Sequence, residues 1–372
     1  MTEILLVSGE ASGDVHGANL IRQLKLIRPD IQYTAVGSDK MRGEGASILF
    51  DIKKLSVMGI VEVIKKIPII FFLFSKIEKY VQASKPALAI LIDAPDFNLR
   101  LVKRIKKGNV KIVYYISPTI WAWRYNRVNT IKKYVDKMLV ILPFEEDLYK
   151  KENVSVSYVG HPLLDELLGY IPDKPKEFAD KNNFNIAIFP GSRKFEILLL
   201  LKPLLEASAL IREKFPKVNF IIPRAKTISR EFLAAKLQRS DIIISEDSTK
   251  KVLQYCDVAI VKSGTSTLET GLMAVPMVIV YKFSWLTYFI GKYIVRIKQQ
   301  PFGLVNIIAQ RPIVKELFQQ EVTGQNIAEE VIRFLTDKRY YDAASRELFE
   351  LKTILTHKEA SKNAAKEIND LL

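Results

Sequence analysis

Short runs of branched aliphatic residues alternate with amphipathic segments along this chain, and the alternation constrains its fold more than any other feature. In the first half, helical patterns at residues 16–26 and 97–107 lie between strand-like runs. The runs cover residues 4–7, 31–36, 87–92, 110–115 and 138–141. Strands that alternate with helices indicate βαβ units and a parallel sheet.

The alternation stops at residues 170–183 and then begins again. Pro172 and Pro175 lie there among polar residues, which is typical of a linker. Further strand-like runs follow at residues 186–189, 218–222, 242–244, 258–261 and 275–280. Residues 337–372 contain neither Gly nor Pro, so we expect helix throughout.

These patterns predict an α/β protein with two Rossmann-like domains and a helical C-terminus. We place the first domain at residues 1–170, the second at residues 171–345 and the C-terminal helix at residues 346–372, with the option that this helix crosses back to the first domain. Ligands of such sheets bind at the carboxyl ends of the strands, so the loops there are the places to look for function.

The excess of positive charge indicates an anionic partner. The chain has 56 Lys and Arg against 41 Asp and Glu, a net charge of +15. Such a balance suits nucleic acid, an anionic membrane surface or phosphorylated substrates. Residues 100–137 contain eleven basic residues and one acidic residue, Asp136, so this window alone carries +10. A solvated helix face with a basic loop is the alternative explanation.

Other parts of the composition exclude whole classes of protein. Cys256 is the single cysteine and there are three histidines, which excludes a disulfide framework and leaves little for a metal site. The longest uncharged apolar run, residues 67–75, is far shorter than the roughly 20 residues of a spanning helix. No signal peptide precedes the first strand-like run, so we expect a cytosolic or peripheral protein in a reducing compartment.

The first strand-like run ends in the string SGEASGD, residues 8–14, with His16 after it. Gly9 and Gly13 allow a ligand to approach the backbone closely, and the helix that begins here offers N–H groups. The string is not the G-x-G-x-x-G of dinucleotide-binding proteins. A tight turn capped by Ser12 or Asp14 is the structural alternative.

Carboxylate and amide side chains follow another apolar run in the string IDAPDFN, residues 92–98. Asp93 comes directly off the strand, and Pro95 makes the following turn rigid. A carboxylate here can act as a general base when a hydroxyl lies within hydrogen-bond reach. We predict that Asp93 is this base and that Asp96 caps the next helix.

Two loops of the second half have residue types that bind phosphate. Gly191 permits a sharp turn, Ser192 can cap a helix and Arg193 can form a fork on a phosphate. The string KSGTSTLE at residues 262–269 also joins a strand to a helix, where backbone N–H groups attract anions, and Glu269 can bridge a ribose diol. Each loop alone is explained by capping, but together they favour a nucleotide diphosphate.

Further strings recur in a fixed order over nearly the whole chain. They are VMGIVEV at residues 57–63, SPTIWAWR at 117–124, LPFE at 142–145, VGHP at 159–162, PGSR at 190–193 and SGTSTLE at 263–269. With SGEASGD and IDAPDFN, which together are highly specific, they make the chain resemble the lipid-A-disaccharide synthase family. The resemblance implies the GT-B fold, in which a cleft lies between two Rossmann-like domains.

The resemblance also implies an inverting glycosyltransferase without metal or cofactor. It would join a UDP-2,3-diacylglucosamine donor to a 2,3-diacylglucosamine 1-phosphate acceptor, form a β-1,6 lipid A disaccharide and release UDP. By motif, Asp93 is the base. The UDP site comprises Gly191, Ser192, Arg193, Ser263, Gly264, Thr265, Ser266, Glu269 and Asn306. The acceptor side comprises Ser8, Gly9, Glu10, Ser12, Gly13, Asp14 and His16. Arg193 and the helix N-termini after Gly191 and Gly264 would stabilise the leaving diphosphate.

Acylated substrates lie in a bilayer, and two apolar segments fringed by basic residues suit an anionic membrane surface. The predicted patch comprises Ile67, Ile69, Ile70, Phe71, Phe72, Phe74, Trp285 and Phe289, with Pro68 expected in the first turn of a helix. The resemblance thus implies a peripheral protein on the cytoplasmic face of the inner membrane. Burial at a domain or subunit interface is the alternative, and the sequence leaves a homodimer open.

Two other classes of function stay open at this point. Another GT-B transferase of lipid-linked amino sugars, or a UDP-sugar epimerase, would use the same UDP loops, and only the N-terminal strings argue against them. A non-enzymatic protein that binds anionic surfaces would share the positive charge. We expect no nucleic-acid partner, because no nucleic-acid-binding motif is present and the aromatic residues lie mostly in apolar segments.

Overall fold

The chain divides into two compact units. The computed structural model describes residues 2–54, 60–121, 124–168, 183–237, 241–283, 301–355 and 359–372, and at residues 60–67 and 168 it describes the helical backbone alone. Unit 1 comprises Met1–Asp165 and His357–Leu372, and unit 2 comprises Glu166–Thr356.

Unit 1 is built on a seven-stranded sheet whose described pairs are all parallel. Its strands are β1 (Glu3–Ser8), β2 (Gln32–Gly37), β3 (Ser47–Asp51), β4 (Leu88–Ile92), β5 (Lys111–Tyr115), β6 (Lys137–Val140) and β7 (Val156–Tyr158). Their order is β3-β2-β1-β4-β5-β6-β7. Because β1 pairs with β2 on one side and β4 on the other, the strand order reverses between β1 and β4, and such a reversal opens a crevice at the carboxyl ends.

Helices cover both faces of this sheet. They include α1 (Ala11–Ile27), α2 (Asp39–Gly43), α3 (Ile60–Ser84), α4 (Pro95–Ile105), α5 (Arg127–Tyr134) and α6 (Pro143–Lys151), and the next helix, α7 (Pro162–Leu168), contains the boundary between the two units. Successive strand residues point to opposite faces, so the side chains of β1 pack in two hydrophobic cores, one on each face of the sheet. Leu5 and Val7 lie in the core with Leu73 of α3, whereas Ile4 and Leu6 lie in the core with Leu20 of α1. Burial on both faces explains why the strands are almost continuously aliphatic.

Helix α3 differs from the predicted helix. It begins at Ile60, so Pro68 lies inside it, and the expected first-turn position is wrong. The helix continues through the proline because Leu73 and Ile77 are fully buried beyond it, which offsets the hydrogen bond that proline removes. Among the described residues, no helix is long and apolar enough to cross a membrane.

Unit 2 repeats the architecture with six parallel strands. They are β8 (Phe184–Phe189), β9 (Val218–Pro223), β10 (Ile242–Ser245), β11 (Val258–Lys262), β12 (Met277–Tyr281) and β13 (Glu316–Phe318), in the order β10-β9-β8-β11-β12-β13. The helices described here are α8 (Lys194–Lys214), α9 (Arg230–Leu237), α10 (Thr249–Leu253), α11 (Thr265–Leu272), α12 (Leu304–Ala309), α13 (Gly324–Thr336) and α14 (Lys338–Ile354). The order reverses between β8 and β11, which creates a second crevice at their carboxyl ends.

The C-terminal region is two helices, so the prediction of continuous helix over residues 337–372 is wrong. After α14, the chain turns at Glu359, whose φ is +62°, and continues as α15 (Ala360–Asn369). Ala364 and Ile368 of α15 are fully buried in the core of unit 1 with α1, and burial of this face offsets the break. Two α/β units with parallel sheets and a helical C-terminus confirm the predicted fold class.

Candidate functional site

The two specific strings of the first half meet at the strand-order reversal of unit 1. Ser8 at the end of β1 lies opposite Ile92 at the end of β4, so the loops that follow are neighbours. A Cβ added at Gly9 would lie 2.6 Å from the Cβ of Ala94, and one added at Gly13 would lie 2.8 Å from the Cβ of Ser8. Both glycines are therefore needed for close packing of the loops.

The backbone of Asp93 is held in an uncommon conformation. Asp93 and Ala94 have φ values of +48° and +44°, a left-handed region that costs a non-glycine residue roughly 1–3 kcal/mol. The Asp93 N–H donates to the carbonyl of Tyr115 at 2.9 Å. The Asp93 carbonyl accepts from Asn98 Nδ2 at 2.8 Å and from the Tyr114 hydroxyl at 2.7 Å. These bonds fix the point from which the Asp93 side chain departs.

Asp93 and Asp96 have different environments. Burial raises the pKa of the Asp93 carboxyl to about 6, and the charge of Glu10 adds to the rise. Asp96 is exposed, and its carboxylate accepts from Arg124 at 2.8 Å and from Arg127. Helix α4 has Ala94 as its N-cap without a side-chain bond, so the predicted capping role of Asp96 is wrong. The Asp96 carboxylate contacts the two guanidinium groups instead.

Several predicted acceptor residues hold the loop together. Ser8 is fully buried, and its hydroxyl donates to the Val36 carbonyl at 3.1 Å. The buried Asp14 carboxylate accepts from the backbone of Ser38 at 2.6 Å and Lys40 at 3.0 Å. Asp14 thus caps α2. The alternative of a turn capped by Ser12 or Asp14 is wrong, because the N-cap residue of α1 is Glu10 and makes no side-chain bond to the helix.

The remaining acceptor residues lie nearer the surface. Glu10 and Ser12 are exposed at the start of α1, and His16 is half-buried. His161 is buried, and burial lowers its pKa to about 4, with a further lowering from His16. Glu10 and Ser12 are therefore the predicted acceptor residues most exposed to solvent.

The loop after β8 in unit 2 is closed by the chain's own carboxylate. Gly191 has a φ of +118°, and a Cβ there would lie 2.7 Å from Glu196 Oε2. Glu196 accepts from the N–H groups of Ser192 at 3.1 Å and Arg193 at 3.3 Å, and it pairs with Lys262 at 3.0 Å. Arg193 rather than Ser192 is the N-cap of α8, so the expected cap by Ser192 is wrong. Binding of the diphosphate at this helix end stays a prediction. The Arg193 side chain stays exposed beside this closed end.

The loop after β11 is arranged differently. Helix α11 begins after Gly264 without a side-chain cap, and a Cβ at Gly264 would meet nothing within 4 Å. Thr265 is exposed and Ser266 is half-buried. Ser263 is buried, and its hydroxyl donates to the Phe302 carbonyl at 2.7 Å. An anion can therefore approach the N-terminus of α11, which carries a partial positive charge.

Two further predicted UDP residues have contrasting environments. The pKa of Glu269 is raised to about 7, chiefly by burial. The charge of Glu166 adds to this rise, whereas the charge of Lys250 and a hydrogen bond from Thr249 oppose it. Asn306 is buried, and its Nδ2 donates to Val314 at 2.9 Å and to Glu316 at 2.7 Å.

The oxygen of the Asn306 amide accepts from the N–H groups of Ile313 at 2.8 Å and Val314 at 3.1 Å. All four hydrogen-bonding positions of the amide are thus used inside the chain. The Asn306 side chain therefore holds the segment before β13, and its predicted contact with UDP stays a prediction.

The apolar patch on α3 is smaller than predicted. Ile69, Phe71 and Phe72 are 37%, 56% and 61% exposed, and Ile70 packs partly on the core. Phe74 is buried, with its ring 4.9 Å from that of Phe97, so its assignment to the patch is wrong. It lies on the face of the helix that turns toward the sheet. The side chain of Ile67, and Trp285 and Phe289, lie outside the described residues.

The sequence did not assign a role to one buried acid of unit 1, Glu145. Glu145, at the start of α6, is 1% exposed and accepts from Trp121 Nε1 at 3.2 Å and from the Leu142 N–H at 3.4 Å. Burial raises its pKa to about 8. The string LPFE marks this position, but its burial depends on the packing of residues distant in sequence.

Comparisons with known proteins point in one direction. A profile of the family described as lipid-A-disaccharide synthetase matches residues 4–369. A Myxococcus xanthus protein named lipid-A-disaccharide synthase is 39% identical over 376 residues, which cover 99% of this chain and 97% of that protein. A Geobacter sulfurreducens protein of the same name is 40% identical over 342 residues, covering 91% and 88%.

Solved structures share the fold. S. aureus MnaA, in a co-structure with UDP, has a TM-score of 0.70 at 12% identity and covers 100% of this chain and 98% of that chain. A UDP-GlcNAc 2-epimerase from Neisseria meningitidis, bound to UDP-GlcNAc, has a TM-score of 0.66 at 12% identity, with 99% of each chain covered. At these identities the likeness shows the fold alone.

We predict that Glu145→Gln flattens the pH dependence of stability. Burial raises the pKa of Glu145 from 4.5 to about 8, so between these values the folded chain keeps a proton that the unfolded chain releases. Its contribution is fully present below about pH 4.5 and is lost as the pH rises through about 8. The free energy of unfolding should fall in this window by up to about 1.4 kcal/mol per pH unit from this group.

Urea unfolding between about pH 5 and about pH 8 measures this slope for the wild type and Glu145→Gln. Asp147→Asn, which removes an exposed acid from the same helix, is the matched control and should keep the wild-type slope. Equal slopes for the wild type and Glu145→Gln would contradict the raised pKa.

Proposed function

The chain belongs to the lipid-A-disaccharide synthetase family, and we propose that the loop site of unit 1 activates the acceptor while that of unit 2 binds the UDP donor. The protein is a glycosyltransferase that forms the lipid A disaccharide from a sugar-nucleotide donor and a lipid acceptor. The relatives do not favour the epimerase alternative. The observation that carries the division of roles is the contrast between a clamped, partly buried carboxylate in one crevice and an uncapped helix N-terminus in the other.

Asp93 is the general base in this proposal. The acceptor's 6-hydroxyl gives its proton to Asp93 while its oxygen attacks the anomeric carbon of UDP-2,3-diacylglucosamine. The bond from that carbon to the diphosphate oxygen breaks, UDP leaves and the anomeric configuration inverts to β. A pKa of about 6 makes Asp93 a stronger base than an ordinary aspartate while leaving it ionised at neutral pH.

The donor side stabilises charge on the leaving group. Arg193 is an exposed cation beside the crevice of unit 2, and the N-terminus of α11 supplies backbone N–H groups near Gly264. In the proposal both contact the diphosphate, whose negative charge grows as the bond breaks. Glu269 accepts hydrogen bonds from the ribose hydroxyls through its carboxyl oxygens. These residues act by position and charge, and none changes its protonation during the transfer.

We propose further that the protein works at the anionic cytoplasmic face of the inner membrane, where its acylated substrates lie. The exposed side chains of Ile69, Phe71 and Phe72 support this, because contiguous exposed apolar residues on a helix suit insertion at a bilayer surface. Lys76 and Lys79 on the same helix would add attraction to anionic lipid.

Asp93→Asn should lower kcat by about 10²–10⁴-fold, because it removes the base, and should leave UDP binding unchanged. The wild-type rate should fall as the pH is lowered through about 6, where Asp93 gains a proton. Disaccharide formation across this range, with UDP titration of both proteins, measures these effects. Asp30→Asn, which neutralises an exposed carboxylate, is the control. A variant with near-normal rate at neutral pH would show that Asp93 is not the base.

Arg193→Ala should weaken UDP binding about tenfold to a hundredfold, the usual range for a charged hydrogen bond, and should leave uridine binding nearly unchanged. Glu269→Gln should weaken both ligands alike, since both contain the ribose. Isothermal titration with the two ligands separates these effects. Lys202→Ala removes an exposed cation from the same helix and should change neither. Equal losses of UDP and uridine in the arginine variant would contradict its contact with the diphosphate.

The double variant Phe71→Ser, Phe72→Ser should stay folded and bind vesicles containing phosphatidylglycerol poorly. Wild-type binding should weaken as salt rises, because salt screens the lysines. Flotation of vesicles at low and high salt measures both. Phe349→Ser is the matched control, since Phe349 is 58% exposed on α14, and it should bind like the wild type. A double variant that unfolds, or that still floats with the vesicles, would contradict the membrane contact.

A further inference from the structure

The acceptor carries a phosphate at its anomeric carbon. Asp93 and the predicted acceptor residues of unit 1 include no Lys or Arg that could bind this phosphate. Asp93 and Glu10 are both acidic and both lie in the crevice, since Glu10 raises the pKa of Asp93. A phosphate monoester would be repelled by these two carboxylates. The site therefore needs a cation within one sugar ring of Asp93.

Two arginines at the carboxyl edge of the same sheet meet this need. Arg124 and Arg127 both contact the Oδ1 atom of Asp96, in the first turn of α4. Arg127 is only 14% exposed, whereas Asp96 is 64% exposed. One carboxylate contacts both guanidinium groups and orients them. Both arginines belong to the basic window of residues 100–137.

The arginines lie close enough to Asp93 to serve one ligand. Asp96 follows Asp93 by three residues, a stretch of chain that spans at most about 11 Å. The Tyr114 hydroxyl donates to the Asp93 carbonyl at 2.7 Å. Burial raises the pKa of the Tyr114 hydroxyl, the charge of Asp93 raises it further and the charge of Arg127 lowers it. Both charged groups therefore act on the same hydroxyl. One hexose ring separates the 6-hydroxyl of the acceptor from its anomeric phosphate, and the two groups can reach Asp93 and the arginines together.

We propose that Arg124 and Arg127, oriented by Asp96, bind the anomeric phosphate of the acceptor. The inference rests on the proposed function, in which the loop of Asp93 receives the acceptor. Arginine suits this ligand because its planar fork donates two parallel hydrogen bonds to phosphate oxygens. Such a contact selects a phosphorylated acceptor over the same lipid without phosphate, and it places the 6-hydroxyl toward Asp93.

The test compares two lipids on matched variants. The lipids are 2,3-diacylglucosamine 1-phosphate, used as acceptor, and 2,3-diacylglucosamine without the phosphate, used as a competitive inhibitor. Arg124→Gln and Arg127→Gln should each raise KM for the phosphorylated acceptor tenfold or more and change the inhibition constant of the other lipid less than about twofold. Lys132→Gln, which removes an exposed cation from α5, should change neither constant.

Comparable rises for both lipids in the arginine variants, or no rise for the phosphorylated one, would overturn the proposal. Arg124 is 52% exposed, so its variant tests the site even if Arg127→Gln does not fold. Wild-type turnover is measured first. A wild type that makes no disaccharide from UDP-2,3-diacylglucosamine and the phosphorylated acceptor would refute the proposed function instead.

Discussion

In each sheet the chain enters at a central strand and adds strands outward on both sides, and the positions of both loop sites depend on this arrangement. The neighbours of β1 are β2 and β4, and the neighbours of β8 are β9 and β11. Where the order reverses, between β1 and β4 and between β8 and β11, the helices that follow the two adjacent strands leave toward opposite faces of the sheet. The loops before these helices therefore separate at the carboxyl edge and leave a crevice. The strings SGEASGD and IDAPDFN flank one crevice, and PGSR and SGTSTLE flank the other. Residues about 85 and 70 positions apart in sequence are adjacent there for this topological reason.

The two crevices differ in the charged groups that they present. In unit 1, Asn98 and Tyr114 donate to the Asp93 carbonyl and hold two consecutive residues in the left-handed region, with the acid partly buried. In unit 2, Glu196 occupies the N-terminus of α8, while the N-terminus of α11 has no side-chain cap. A carboxylate that serves as a base is favoured by partial burial, whereas a leaving diphosphate is favoured by uncompensated N–H groups and an exposed arginine. This division of electrostatic character agrees with the proposed roles of the two units.

At the surface of α3 and at the C-terminus of the chain, packing gives a structure that differs from the one that the sequence pattern predicts. The apolar run of α3 predicts an apolar surface around most of the helix, yet Leu73, Phe74 and Ile77 are core and only part of the run is exposed. A run without glycine or proline predicts one long terminal helix, yet the chain breaks before α15 so that Ala364 and Ile368 reach the core of unit 1. In both cases burial of a distant apolar surface decides between local options of similar energy.

The sequence by itself determined the parallel α/β class, ten of the strands and the loops that carry the site, because buried parallel strands need aliphatic runs and the specific strings follow them directly. It does not predict the short edge strands β3, β7 and β13, which depend on pairing with a neighbour more than on their own pattern. Only the tertiary structure decided that Ser8, Asp14 and Asn306 use their polar atoms inside the chain, that Glu196 closes one helix end, and that Arg124 and Arg127 meet at Asp96. A hydrogen bond or ion pair between residues far apart in sequence requires that the fold place both partners, so residue type alone does not distinguish a ligand contact from an internal one.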